Sequence, residues 1–169
     1  AMVFESAFSV VGPVFAKESL GGPKPWSWIL ASLALGMAAG VSVTMKFKPR
    51  FPLIAGLAVQ FGTVAWFLAM GFTKSVVLAM VCAFLCGFGM DFFMVLWQTA
   101  LQTEVPNESL SRVSSYDAFG SLFFAPLGLV IAGPIVTSIG AQATFKLFSI
   151  WMAVVVVAML SVKIGRAHV

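Results

Sequence analysis

The sequence predicts an all-α membrane protein with six helices, five complete and one partial. Of its 169 residues, 60% are hydrophobic and only 9% are charged, and the mean hydropathy is +1.03. A soluble domain of this length covers a single core with roughly 25% charged residues. The apolar residues also fall in runs of about 20, the length of helix that crosses the hydrocarbon core of a bilayer. Lipid is therefore the expected solvent.

The first three predicted helices are bounded by turn residues and by positive charge. A partial first helix, 1–17, ends in a stretch rich in glycine and proline, "GPVFAKESLGGPKP". The second helix, 26–45, stops at "KFKPR", and the third, 51–72, follows directly. A signal peptide is not expected at the N-terminus, because Glu5 stands where such a peptide carries positive charge.

The last three predicted helices are separated by single polar or flexible residues and one polar turn. Lys74 divides the third helix from the fourth, 75–103, which is long. The fifth helix, 110–139, is closed by Gly140, and the sixth, 141–162, ends the membrane portion. Segments of this length without alternating polarity do not fit a β-barrel.

Both ends of the chain predict a fragment of a longer gene. The first helix lacks its beginning, and the last six residues, "IGRAHV", match one reading frame of a widely used sequencing adapter. Residues 164–169 are therefore interpreted as an artefact. The transmembrane unit is then 1–163, and the only histidine, His168, is excluded from it.

Positive charge predicts the orientation of the helices. Lys46, Lys48 and Arg50 lie in one short loop, Arg112 begins the fifth helix, and Lys163 follows the sixth. These ends are expected to face the cytoplasm, where loops of membrane proteins are enriched in Lys and Arg. The net charge of +4 then reflects anchoring beside the membrane, since a nucleic-acid surface would need clustered bases on a soluble face.

The residues offer little for an enzyme or a metal site. The sequence outside the tail has no histidine, no nucleophilic triad and no glycine-rich phosphate loop. Cys82 and Cys86, four residues apart on one helix, could supply two metal ligands, but no nearby histidine or second cysteine pair completes a site. They are predicted to be packing residues. We expect no enzymatic activity, no metal and no cofactor.

The fourth helix carries a polar row in its apolar sequence. Asp91 is followed by Gln98 and Gln102, which fall within about 20° of it around a helix. Lipid cannot satisfy such groups, so the row is expected to face the protein interior or a water-filled cavity. Two interpretations stay open: a structural hydrogen-bond cluster, or a cavity lining with a proton-binding carboxylate.

The turn between the fourth and fifth helices is the most polar part of the sequence. Pro106 is expected to end the fourth helix, Asn107 or Ser109 to cap the fifth, and Glu108 to suit the positive end of that helix. Arg112 is a candidate for closing a cytoplasmic gate.

The fifth helix carries a second polar face, in which Ser114, Asp117 and Ser121 are spaced by three and four residues. Asp117 is interpreted as one half of a structural ion pair. Its expected partner is Arg112 or a cation of the "KPR" loop, Lys48 or Arg50.

Small residues predict close helix contacts, because they allow backbones to approach in a bilayer. The pairs are Gly36 and Gly40, Ala83 and Gly87, and Gly128 with Gly133.

Three stretches together resemble the C-terminal half of the major facilitator superfamily, specifically its enterobactin-exporter-like bacterial branch. They are "KPRFPL", "LWQTALQTEVPNESLSRVSSYD" and "PLGLVIAGPIVTSIG". The second contains the pattern formed by Trp97, Leu101, Gln102, Val105, Pro106, Glu108, Leu110, Arg112 and Val113. The third is similar to the antiporter signature through Gly128, Gly133 and Pro134, although the glycine spacing is one residue longer and that signature belongs to the fifth superfamily helix. The acidic residue that usually precedes the "KPR" cluster is absent locally.

This resemblance implies the end of the seventh superfamily helix and the complete eighth to twelfth. It implies a multi-pass protein of the bacterial inner membrane whose missing N-terminal half completes the molecule. The expected function is secondary active transport, the proton-coupled efflux of a siderophore or drug-like small molecule by alternating access. The alternative is a non-transport membrane subunit, an anchor or assembly partner, whose polar rows bind other helices.

Overall fold

The computed structural model describes residues 2–47, 49, 52–59, 61–72 and 75–161. These ranges form seven helices joined by short connections and contain no strand. The helices are α1 (Met2–Ser19), α2 (Pro23–Lys46), α3 (Pro52–Val59), α4 (Phe61–Phe72), α5 (Val76–Glu104), α6 (Asn107–Ile139) and α7 (Ala141–Ser161). Their ends fall within three residues of the predicted ones. The single predicted span 51–72 corresponds to α3 and α4, on either side of Gln60, which lies outside the described residues.

Local chemistry accounts for several of these helix ends. Helix α2 starts with Pro23, whose missing N–H costs nothing in the first turn. At the start of α5, the backbone N–H of Leu78 donates to Ser75 Oγ at 3.4 Å, which satisfies one of the helix's unpaired donors. Helix α6 ends at Gly140, whose φ of 79° favours glycine.

The predicted cap of α6 by Asn107 or Ser109 is wrong. Pro106 occupies the cap position with φ −55° and ψ 140°, so Asn107 is already the first helical residue. No side chain caps the helix. The N–H groups of Ser109 and Leu110 donate instead to the Pro106 carbonyl, at 2.9 and 3.0 Å. Glu108 does lie in the first turn, as predicted, where the helix dipole favours a negative charge.

Helices α2 and α5 form a closely packed parallel pair. Ser32 Oγ donates to the Met80 carbonyl at 2.8 Å, across a separation of 48 residues. One turn further on, a Cβ at Gly36 would overlap the Phe84 carbonyl, which is again 48 residues ahead. A constant offset between contacting residues means that the two helices run in the same direction. The helices α3 and α4, which follow α2 in the sequence, bring the chain back to the end where α5 begins. Lys46 and the α5–α6 turn therefore lie at the same end, as the charge pattern predicts.

The same approach confirms part of the small-residue prediction. Gly40 lies against the Phe88 carbonyl, and Gly87 lies against the Leu33 carbonyl, in both cases too closely for a Cβ. Gly133 differs, because nothing described lies within 4 Å of the Cβ position there. The pairs on α2 and α5 thus mark a helix contact, whereas Gly133 does not.

An aromatic cluster within the core joins α1, α4 and α7. Phe145 is fully buried and meets Phe15 edge-on, with ring centroids 5.4 Å apart and planes at 90°. Phe67 lies 6.0 Å from the same ring. Edge-to-face packing of this kind fixes ring positions as well as burying apolar area.

Three described helices are long and apolar enough to cross a membrane, judged by length and composition. They are Pro23–Lys46, Val76–Glu104 and Ala141–Ala158; Phe61–Phe72 and Pro126–Ile139 are shorter apolar helices. Many large apolar side chains also point outward, among them Leu35, Val77 and Val130, each about 70% exposed. An aqueous surface does not tolerate so many, whereas lipid does. The fold is that of an all-helical, multi-pass membrane protein.

Candidate functional site

The polar row, Asp91, Gln98 and Gln102, lies on α5, the helix that packs against α2. Asp91 and Gln98 are half-buried, and Gln102 is exposed. Asp91 is one residue from the middle of Val76–Glu104, which places it about 20 Å from either helix end at 1.5 Å per residue. The row therefore runs from mid-helix toward the α5–α6 turn and is partly open within this chain.

Asp91 lies one turn beyond the closest approach of α2 and α5. Gly87, one turn earlier, packs on α2, and the rings of Phe88 and Phe92 stack beside it with centroids 5.6 Å apart. No described residue forms a hydrogen bond or an ion pair with the Asp91 carboxylate. Every fully buried side-chain oxygen or nitrogen in the described part of the chain has a hydrogen-bond partner. Since the Asp91 carboxylate has no such partner among the described residues, it is accessible from outside the packed interior.

In a bilayer, an accessible carboxylate that has no partner among the described residues can do one of three things. It can contact water in a cavity, bind a proton, or meet a donor from another helix, because hydrocarbon satisfies none of its acceptors. Gln98 and Gln102 extend the hydrogen-bonding capacity of the same face toward the helix end. The roles of the three residues stay predictions.

At the α5–α6 turn the predicted gate residues are separate from one another. Arg112 is exposed and Asp117 is half-buried, and neither has an ion-pair partner among the residues that the structure describes. Five residues apart on a helix, they are about 140° apart around its axis, so they do not face each other. Lys48 and Arg50 lie outside the described residues, and a pair between them and Asp117 stays a prediction.

Trp97 lies on α5, and the antiporter-like stretch lies on α6. The Trp97 ring stacks on Phe93 with centroids 6.3 Å apart and planes at 17°. On α6, Gly128 is buried, Gly133 is half-buried and Pro134 is exposed.

The helix α6 continues through both of its internal prolines. Each proline removes a backbone donor and leaves a carbonyl without its usual partner. The Thr137 hydroxyl lies 3.2 Å from the Gly133 carbonyl and 2.9 Å from the Pro134 carbonyl, and donates to this pair. Thr137 therefore adds a donor to the carbonyls of Gly133 and Pro134, and not to that of Val130, which is the one that Pro134 leaves without its usual helical partner.

One charged contact was not predicted as a site. The Lys146 Nζ lies over the Phe72 ring, 4.4 Å from its centroid, and the Lys146 side chain also packs on Gly71. This cation–π contact joins the start of α7 to the end of α4, at the end of the bundle opposite Arg112. In the sequence, the feature that could have indicated this contact is Lys146 itself, a single lysine one turn into an apolar helix.

Comparison with known proteins gives one distant relative. Over 135 residues, 77% of this chain, the sequence is 28% identical to the multidrug efflux pump Tap of Mycolicibacterium fortuitum. The matched region spans 32% of that protein's length, so this chain covers about a third of it. No family model matches the sequence. No solved structure matches it significantly.

Proposed function

We propose that this chain forms the C-terminal six-helix part of a major facilitator transporter that exports drug-like small molecules from the bacterial cytoplasm in exchange for protons. The observation that carries the proposal is Asp91, an accessible carboxylate that no described residue pairs, at the middle of a 29-residue apolar helix. Similarity to a protein named as a multidrug efflux pump over 77% of the chain supports export as the direction.

Protonation of Asp91 supplies the coupling step of the proposal. The charged form is stable only when a water-filled cavity reaches it, while the neutral form tolerates apolar contact. A proton entering from outside therefore favours the conformation in which the cavity is closed around Asp91. Release of the proton to the cytoplasm favours the conformation open to that side, since a ligand shifts an equilibrium toward the state it binds better.

The neighbouring side chains suit an amphipathic substrate. Phe88, which is half-buried, adjoins Asp91 and stacks on the buried ring of Phe92. Gln98 follows Asp91 along its face of the helix. Aromatic faces bind planar apolar or cationic groups, and the amide and carboxylate provide a few oriented polar contacts. We propose a drug-like amphipathic molecule in preference to a siderophore because the relative's name supports it.

The test uses the complete gene product, reconstituted in lipid vesicles with an imposed pH gradient. Export of a fluorescent amphipathic cation is measured for the wild type, for Asp91→Asn and for Glu104→Gln. Glu104 is the matched control because it is an exposed carboxylate at the end of the same helix. We expect Asp91→Asn to lose gradient-driven transport at least tenfold and Glu104→Gln to retain it.

Unchanged gradient-driven transport by Asp91→Asn would overturn the coupling role. Absence of transport by the well-folded wild type for every amphipathic dye tried would favour the membrane-subunit alternative instead.

A further inference from the structure

Three sulfur-containing side chains form a row on α5 that the proposed transport does not use. Cys82, Cys86 and Met90 follow one another at four-residue intervals, so they fall within about 80° around the helix. The Cys86 Sγ lies 3.7 Å from the Met90 Sδ. Cys86 is only 5% exposed, while Cys82 and Met90 are half-buried against the same apolar core.

We propose that Cys86 and Met90 form a binding site for a soft monovalent cation, Cu(I), at the contact between α4 and α5. This site is independent of the substrate and direction of transport.

The donor set selects for a soft ion. Thiolate and thioether sulfurs prefer Cu(I), whereas hard cations require oxygen ligands. Within the described ranges no three His, Cys, Asp or Glu side chains come together, so the four-ligand site of a structural zinc ion is not available there. Two neighbouring sulfurs are a sufficient donor set for an ion that accepts low coordination.

The charge balance suits an apolar location. On binding, the Cys86 thiol loses its proton to bulk water and a Cu–S bond forms, with no change in oxidation state. The positive ion, the negative thiolate and the neutral thioether then sum to zero charge. A neutral site avoids most of the penalty that a membrane interior imposes on ions.

The geometry permits this change with a small movement. Two sulfurs on opposite sides of one ion are about 4.6 Å apart if each metal–sulfur bond has the length of a zinc–thiolate bond, about 2.3 Å. The observed separation is 3.7 Å, and the Met90 side chain has three rotatable bonds with which to open it. Thr63 Oγ1, on α4, lies 3.6 Å from Cys86 Sγ, which places the site between the two helices. Cys82, one turn away on the same helix, is half-buried.

The test is a Cu(I) titration of the complete gene product in detergent, without oxygen, in competition with a chromogenic Cu(I) chelator. We expect the wild type to take one ion per chain from the chelator. We expect Cys86→Ser and Met90→Leu each to weaken binding at least tenfold. Met94→Leu is the matched control, because Met94 is an exposed methionine one turn beyond Met90, and it should bind as the wild type does.

Met90→Leu conserves volume, so its failure to bind would not reflect a collapsed core if its size-exclusion profile matches the wild type. X-ray absorption of the loaded protein should show sulfur neighbours only. Failure of the wild type to compete for Cu(I), or wild-type affinity in Met90→Leu, would overturn the proposed site.

Discussion

A carboxylate at the middle of α5 is costly for the free energy of insertion, by about 3 kcal/mol in a helix centre. Asp91 was predictable as a candidate because it is the only charged residue between Lys74 and Glu104. Its half-burial and its lack of a described partner were not predictable, because they depend on how α2 approaches α5. The contact between Cys86 and Met90 was not predicted, because the spacing of Cys82 and Cys86 suggests zinc ligands and methionine is not one of them.

Arg112 provides a prediction at the same scale. It is exposed near the start of α6, where its five N–H donors can bind backbone carbonyls or an acidic group of a facing helix. We expect Arg112→Ala to lower export several-fold in the vesicle assay by weakening the closed cytoplasmic gate. Ser115→Ala, an exposed change on the same helix, is the control. Normal export by Arg112→Ala would contradict a gate role.

At the scale of the helices, the packing of α2 on α5 at Gly87 determines which side of α5 stays open at Asp91, one turn further on. Sequence periodicity and helix breakers were sufficient to locate the helices, because long apolar runs bounded by Pro, Gly and charge leave few alternatives. The pairing of glycines with a particular helix was not predictable, since small-residue patterns arise often in apolar sequences. The error at the α6 cap has a local cause, in that Pro106 itself directs the chain into the helix.

A glycine substitution tests the helix contact. Gly87→Ala is expected to lower the stability of the protein by about 1–3 kcal/mol, because the added Cβ overlaps the backbone of α2. The measurement is the midpoint of thermal unfolding in detergent, followed by size exclusion. Gly120→Ala is the matched control, since nothing described lies within 4 Å of the Cβ position there. Equal midpoints for Gly87→Ala and the wild type would show that α2 and α5 are not packed this closely.

For the whole molecule, the parallel direction of α2 and α5 makes a prediction about topology. Their C-terminal ends lie together; the loop with Lys46, Lys48 and Arg50 follows α2, and Arg112 comes shortly after α5. This agrees with a cytoplasmic location for that end, which stays a prediction because charge bias alone supports it.

Cysteine labelling tests this orientation. With Cys82 and Cys86 replaced by alanine, a single cysteine is introduced as Ser109→Cys or as Lys24→Cys, both at exposed positions. A membrane-impermeant maleimide added to intact cells should label Lys24→Cys and spare Ser109→Cys. Inverted vesicles should give the opposite pattern, and labelling of Ser109→Cys in intact cells would reverse the assigned orientation.

The constant offset of 48 residues between α2 and α5 also governs how the protein is made. At a synthesis rate of about 5–20 residues per second, α5 leaves the ribosome roughly 2–10 s after α2. Throughout that interval Gly36 and Gly40 of α2 lack the α5 backbone that they contact in the folded protein. Lipid or the insertion machinery must therefore cover this part of α2. Synthesis of the nascent protein thus includes a waiting period whose length is determined by α3 and α4, the helices that separate α2 from α5 in the sequence.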